Sequence, residues 1–177
     1  YDINNYMPAE KRKKELKVIN DILRWYRANS RVLPWRKKQL NNLPNPYYVF
    51  ISEFMLQQTT VNTVVPKFKE FVQKWPNIKK LSRINQNTLL RFWSGLGYYS
   101  RATNLLKSAR IISREYNNKI PSKYEILIKL PGVGDYTAKA IQGIAYNMPV
   151  MPIDANISRL VSRIYCVLKP PNIEKKN

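Results

Sequence analysis

An all-α protein is predicted, on three observations. Apolar residues recur at three- and four-residue intervals in several separate stretches, the period of helices rather than strands. No stretch reads as a convincing strand, and there are no internal repeats or low-complexity segments. Two of the chain's five glycines sit one residue apart in Leu130-Pro131-Gly132-Val133-Gly134, between two segments of helical character. That pattern reads as helix, glycine-rich hairpin, helix.

Taken in order, residues 1–14 are polar and basic. Leu16, Ile19, Ile22, Leu23 and Tyr26 then define an amphipathic helix over about 15–28. Pro34 ends helical structure, and a polar loop with Pro44 and Pro46 follows. Val49, Phe50, Ile51, Phe54, Met55 and Leu56 cover most of a helix circumference, which argues for a buried helix. Glu53 sits in their midst. It lies either on a narrow polar strip with Gln57 and Thr60, or along a cleft whose apolar walls raise its pKa and fit it for general-acid work. Val64, Val65, Phe68, Phe71 and Val72 make a further amphipathic stretch to Trp75, with Pro66 implying a kink or a fresh start. Short helical turns are expected at 81–84 and 89–93.

A second glycine pair, Gly95-Leu96-Gly97, leads into Tyr98, Tyr99 and the basic Arg101. Aromatics there serve either the core or, on a basic protein, insertion between bases. A helix over 102–116 precedes the hairpin, whose second helix occupies 136–146. Converging N–H groups and a helix amino end suit an anion such as a DNA phosphate, although the same residues would also make an ordinary helical hairpin with a glycine stop. Asp154 opens the last stripe (Ile157, Leu160, Val161, Ile164, Tyr165) as an N-cap. A capping carboxylate that stays charged and a glutamate that leans neutral would form an acid–base pair of separated roles.

Charge and composition narrow the chemistry. The 31 Lys and Arg against 11 Asp and Glu leave +20 on 177 residues, a balance that suits a polyanionic partner. No apolar run reaches membrane-spanning length. Without histidine, Ser-His-Asp and Cys-His catalysis and histidine-ligated metals are excluded, which leaves carboxylates, Tyr and Lys. The single cysteine, Cys166, excludes a disulfide within these residues and is expected in core packing. A start at Tyr1 rather than Met is expected of a fragment.

The segments Leu33–Arg36, Ser52–Thr59, Gly95–Arg101, Leu130–Thr137 and Asp154–Asn156 together resemble the helix-hairpin-helix DNA glycosylases, most closely the MutY-type adenine DNA glycosylases. The resemblance runs from about residue 30 to residue 168, with the motifs in the family's order. It implies an all-helical, two-lobed fold: an amino-terminal helix (1–30) belonging to the second lobe, a six-helix barrel with the hairpin (31–150), and the start of the second lobe (151–177). It also implies hydrolysis of the N-glycosidic bond of adenine mispaired with 8-oxoguanine or guanine, after the base is flipped from duplex DNA.

By position, Glu53 matches the acid that protonates adenine. Asp154 matches the carboxylate that stabilises the cationic sugar, and Tyr136 and Asn156 match supporting residues. Arg31 and Arg36 match arginines around the adenine pocket. Gln58, Thr59, Leu96 and Tyr98 match residues beside the opposing base. Gly132, Val133 and Gly134 match the phosphate-binding hairpin, where the family also places a monovalent cation. Tyr136 stands where endonuclease III-type enzymes carry a lysine, so a mainly monofunctional glycosylase is expected, since a phenol forms no Schiff base.

Thymine–guanine mismatch glycosylases of the same superfamily share Tyr in the hairpin and Asp-Ala-Asn, and the MutY pattern usually has Asp-Gly-Asn where this chain has Asp154-Ala155-Asn156. The family's [4Fe–4S] cluster has its cysteine ligands beyond residue 177, so a second lobe only half built, marginal stability and little activity are expected of these residues. A monomer is expected, in bacterial cytoplasm at the nucleoid or in a eukaryotic nucleus or mitochondrion. The competing readings are a non-catalytic helix-hairpin-helix DNA-binding fragment and a gene remnant.

Overall fold

The computed structural model describes residues 9–164. These divide between two compact units, Tyr1–Val32 and Leu33–Asn177. Nine α-helices occur in the described residues: α1 (Ala9–Asn29), α2 (Pro46–Leu56), α3 (Val61–Lys74), α4 (Ile78–Ser82), α5 (Gln86–Trp93), α6 (Ser100–Glu115), α7 (Tyr124–Leu127), α8 (Asp135–Tyr146) and α9 (Ala155–Ile164). A 3-10 turn, Pro34–Arg36, precedes α2. Among the described residues the only extended pairing is an isolated bridge, Lys38 to Pro44, so the all-α expectation holds.

The first unit is one helix. α1 starts six residues earlier than the apolar stripe implied, because the Ala, Glu, Lys and Arg of 9–14 are strong helix formers that need no buried face to remain helical. Its apolar residues Leu16, Ile19, Ile22 and Leu23 are exposed.

The second unit is organised on α2. Pro46 occupies the first turn and the Asn45 side chain accepts from the Tyr47 N–H at 2.9 Å, a start that suits proline's missing donor. Val49, Phe50, Ile51, Phe54 and Met55 are all fully buried, and α2 packs against α3, α6, α8 and the 3-10 turn. Aromatic edges knit the core: Trp35 meets Phe68 at 5.2 Å and Phe71 meets Trp75 at 4.9 Å between ring centroids. α3 runs unbroken through Pro66; a solvent-facing proline removes one hydrogen bond without ending a helix held by Val64, Phe68 and Phe71.

Where helical spacing would carry α2 on to Thr60, the helix stops at Leu56, and Gln58 turns left-handed with φ +59. The cause is tertiary and lies in Arg101, whose guanidinium holds the carbonyls of Phe54, Met55 and Gln57. Cys166 and Tyr165 lie outside the described residues.

Candidate active site

Glu53 is carried on α2 among fully buried neighbours and is itself 7% exposed. Burial pushes its carboxyl pKa up to about 7, and the nearby Arg36 guanidinium pulls in the opposite direction. Desolvation outweighs the cation because Arg36 is exposed to water, which screens its charge. Arg36 is held there by the 3-10 turn, whose Trp35 is anchored in the core.

Asp154 reaches the same neighbourhood from the other end of the sequence. Its Oδ1 accepts from the Ile157 N–H at 2.7 Å and its backbone carbonyl accepts from the Ser158 N–H at 2.9 Å. It is therefore the N-cap that the sequence proposes, and it stays partly open to solvent. Asn156 Nδ2 donates to Asp154 Oδ2 at 3.4 Å.

Tyr136 joins the two carboxylates. It is the second residue of α8 and is 42% exposed. Its phenol is pushed up first by its own burial, then by the charges of Glu53 and Asp154, with Arg36 opposing. The charges of Glu53, Asp154 and Arg36 therefore all act on one phenol.

The hairpin is built on one glycine, with the second leaving space. Gly132 has φ +79, and a Cβ there would sit 2.8 Å from both Asn104 Cβ and Phe54 Cε1. Gly134 is extended, not left-handed, and a Cβ on it would meet nothing within 4 Å. No side chain caps the α8 amino end at Gly134. Ser108 Oγ donates to the Pro131 carbonyl at 2.8 Å and Gln57 Nε2 to the Gly132 carbonyl at 3.1 Å. These tie the turn to α6 and to the end of α2. Asp135 accepts from Tyr124 Oη at 2.9 Å and from Lys139 Nζ at 3.0 Å. Its charge at the helix start is thereby compensated, which the spacing alone did not disclose.

A third group gathers around Arg101, which is 6% exposed. Its Nη1 donates to the carbonyls of Phe54 (3.2 Å), Met55 (2.9 Å) and Gln57. Its Nη2 donates to Thr59 Oγ1 (2.9 Å) and to the carbonyls of Leu96 (2.7 Å) and Gly97 (3.0 Å). Its guanidinium carbon also stands 5.5 Å from the Tyr98 ring and 5.7 Å from the Trp93 ring. The carbonyls that end α2 are drawn to this cation instead of to a further helical turn. Thr59 Oγ1 donates in turn to the Leu96 carbonyl at 3.3 Å.

The sequence-derived candidates thus fall into groups. Glu53, Asp154, Tyr136, Asn156 and Arg36 come together, as do Gln58, Thr59, Leu96 and Tyr98; Gly132, Val133 and Gly134 form the hairpin. Within the second group Gln58 and Tyr98 are exposed, while the Leu96 side chain is buried and contributes packing. Tyr98 has φ +46; a left-handed residue other than glycine costs about 1–2 kcal/mol, and two of them, Gln58 and Tyr98, lie in this one place. Arg31 belongs to the first unit and is exposed. Arg101 is the residue that sequence reading missed. It reads there as one more cation of a basic chain, although its register with Leu105 and Ala109 on α6 puts it on the buried face.

The helical core and the glycine hairpin narrow the class of protein. Residues 51–177 match the HhH-GPD superfamily base excision DNA repair proteins, and the chain belongs to that family. Within it, the chain is similar to the adenine DNA glycosylase of Buchnera aphidicola subsp. Baizongia pistaciae, at 44% identity over 147 residues, 82% of this chain and 40% of the relative. It is also similar to the adenine DNA glycosylase of Mycobacterium tuberculosis (38% identity, 81% of this chain, 46% of the relative) and to that of Homo sapiens (37%, 85% and 28%). The chain thus spans less than half the length of these relatives. Among solved structures it resembles a thermostable thymine-DNA glycosylase, with a TM-score of 0.77 and 25% identity over 86% of this chain and 68% of that one. A non-covalent endonuclease III–DNA complex shares the fold, with a TM-score of 0.72 and 20% identity over 90% of this chain and 70% of that one.

Among the described residues no group of three or more Cys, Asp or Glu is placed to hold a metal ion. One cysteine and no histidine in the 177 residues do not supply the thiolates that an iron–sulfur cluster takes, so the residues present do not fit that cofactor. No helix of the described residues is long and apolar enough to cross a membrane.

Proposed function

We propose that this protein is a DNA base-excision repair glycosylase that removes adenine from mispairs with 8-oxoguanine or guanine. The observation that carries the reading is a buried carboxyl with its pKa at about 7, sharing one tyrosine with a half-exposed, hydrogen-bonded aspartate. Adenine is a poor leaving group until protonated. In an apolar site near neutral pH, Glu53 keeps a proton to give to N7 of the flipped base. The C1′–N9 bond then breaks with its electron pair going to the base, and the Asp154 carboxylate faces the cationic sugar that results. Water adds at C1′ and its proton returns to Glu53. Tyr136 holds its proton against both carboxylates and supports them with Asn156, and having no amine it leads to base release without strand cleavage.

The open space before Gly134 and the uncapped N–H groups of α8 take a DNA phosphate. Val133 and the Gly132 turn shape that cradle, which is also where a monovalent cation would sit. Arg36 serves the adenine pocket, and Gln58, Thr59, Leu96 and Tyr98 serve the opposing base. The excess of positive charge draws the duplex. Similarity to adenine DNA glycosylases at 37–44% identity supports the choice of adenine. A second reading, release of thymine opposite guanine, is favoured by the likeness to the thymine-DNA glycosylase.

Single-turnover base release from adenine:8-oxoguanine, adenine:guanine and thymine:guanine duplexes tests both. Adenine release opposite the two guanine forms is expected, and Glu53→Gln should lower it about 10²–10⁴-fold, the usual worth of a general acid, with duplex binding kept. Thymine release exceeding adenine release selects the second reading. Salt-sensitive binding without release of either base leaves a DNA-binding module.

A further inference from the structure

We propose that Arg101 is a positioning residue for reading the opposing base: it locks the turns at 57–59 and 95–98 into one unit, so that Gln58 and Tyr98 are presented together. The inference rests on the glycosylase reading for what is read, but the locking itself is a property of the free protein.

Buried arginines are normally paired with carboxylates. Arg101 instead has carbonyl oxygens, one hydroxyl and two aromatic rings. For stability alone an apolar side chain of like volume would serve as well, because burying a guanidinium carries a large desolvation cost. The planar fork does something an apolar residue cannot. Its two terminal nitrogens serve two segments 37 residues apart in sequence at Thr59 and Leu96, with the carbonyl of Gln57 on one side and those of Leu96 and Gly97 on the other. Each segment holds one exposed, non-glycine residue in the left-handed region, Gln58 at φ +59 and Tyr98 at φ +46. Such conformations persist only where their surroundings over-determine them, and they gather at functional sites. Trp93 Nε1 also donates to the Gly97 carbonyl, at 3.2 Å. Lysine offers one compact ammonium and cannot span both sets of acceptors.

Two measurements on the full chain decide the matter. The amides of Thr59 and Leu96 donate to Leu56 and Trp93. In Arg101→Lys and Arg101→Met both should exchange with solvent about 10-fold or more faster, the loss expected for charge-assisted hydrogen bonds, while amides within 105–112 of α6 keep their protection. Thr59→Val, a milder change, should speed exchange at Leu96 across the turn, and it decides the question if the arginine variants do not fold. The second measurement is binding to duplexes carrying an uncleavable 2′-fluoro-deoxyadenosine opposite 8-oxoguanine or thymine. Both arginine variants should lose about 10-fold of the preference for 8-oxoguanine and keep their affinity for the thymine duplex. Full retention by Arg101→Lys would mean that charge alone matters, and equal losses on both duplexes would mean general destabilisation. Either overturns the proposal, as does faster exchange in only one turn. If the wild-type chain itself shows no preference, the glycosylase reading fails, and the coupling of the two turns then stands or falls on the exchange data.

Discussion

α2 and α9 each bring a carboxylate to Tyr136, and almost everything else about them differs. α2 is apolar around its circumference and buried on every side, and Glu53 is enclosed with it. α9 has an apolar stripe too, but Leu160, Val161 and Ile164 are exposed and none of its residues is buried. Its aspartate sits at the amino end, held by an N–H of the helix it caps. One environment strips water from a carboxyl and favours the proton; the other surrounds a carboxyl with donors and leaves it in contact with solvent. Two similar side chains thus meet opposite environments, one dehydrated and one hydrogen-bonded at a helix start. Among the described residues the same contrast marks packing: α2 is enclosed in the core and α9 is not.

Mutating the two helices tests this contrast most directly. Phe54→Ala in α2 is expected to cost about 3–5 kcal/mol, a large aromatic lost from a packed core, whereas Leu160→Ala in α9 should cost less than about 0.5 kcal/mol. Chemical denaturation measures both, and comparable losses would show that α9 is packed as firmly as α2.

The buried glutamate gives the next largest effect. Its folded-state pKa, about 7, lies above the ordinary 4.5, so the fold favours the protonated carboxyl. The wild-type chain is at its most stable in this respect below 4.5 and loses that stability as pH rises through about 7. Glu53→Gln does not titrate. It should therefore gain on wild type by up to about 3 kcal/mol near pH ~8, with the difference closing near pH ~4. Melting temperatures at the two pH values give the answer, and a pH-independent difference would remove the protonated glutamate from the chemistry.

The two hairpin glycines sharpen the division between fold and site. Gly132→Ala meets Asn104 and Phe54 at 2.8 Å in a left-handed position and should destabilise by about 2 kcal/mol. Gly134→Ala meets nothing in the free protein, so its stability should change by less than about 0.5 kcal/mol while duplex affinity falls a few-fold. Thermal melts and salt-matched duplex titrations separate the two.

Much of this was legible in the sequence for identifiable reasons. Helices with a periodic stripe announce themselves, and Asp154 announced its cap because capping is local. Glu53 stood out as a charge inside an apolar run, though periodicity left both a polar strip and a cleft open. The end of α2 at Leu56 is not legible locally, because what holds the carbonyls there comes from Arg101, more than forty residues away. Gly132 and Gly134 look alike on paper, and only the neighbours of each show that one serves close packing and the other open space.

The order of residues therefore determined the helical class, the hairpin and the identity of both carboxylates, since each rests on contacts within a few positions of the chain. Tertiary structure alone decided that Glu53 is dehydrated, that Asp154 shares its tyrosine, and that Arg101 is a buried tie rather than a surface cation. Burial and charge proximity depend on segments that meet in space, and no local pattern encodes which segments those will be.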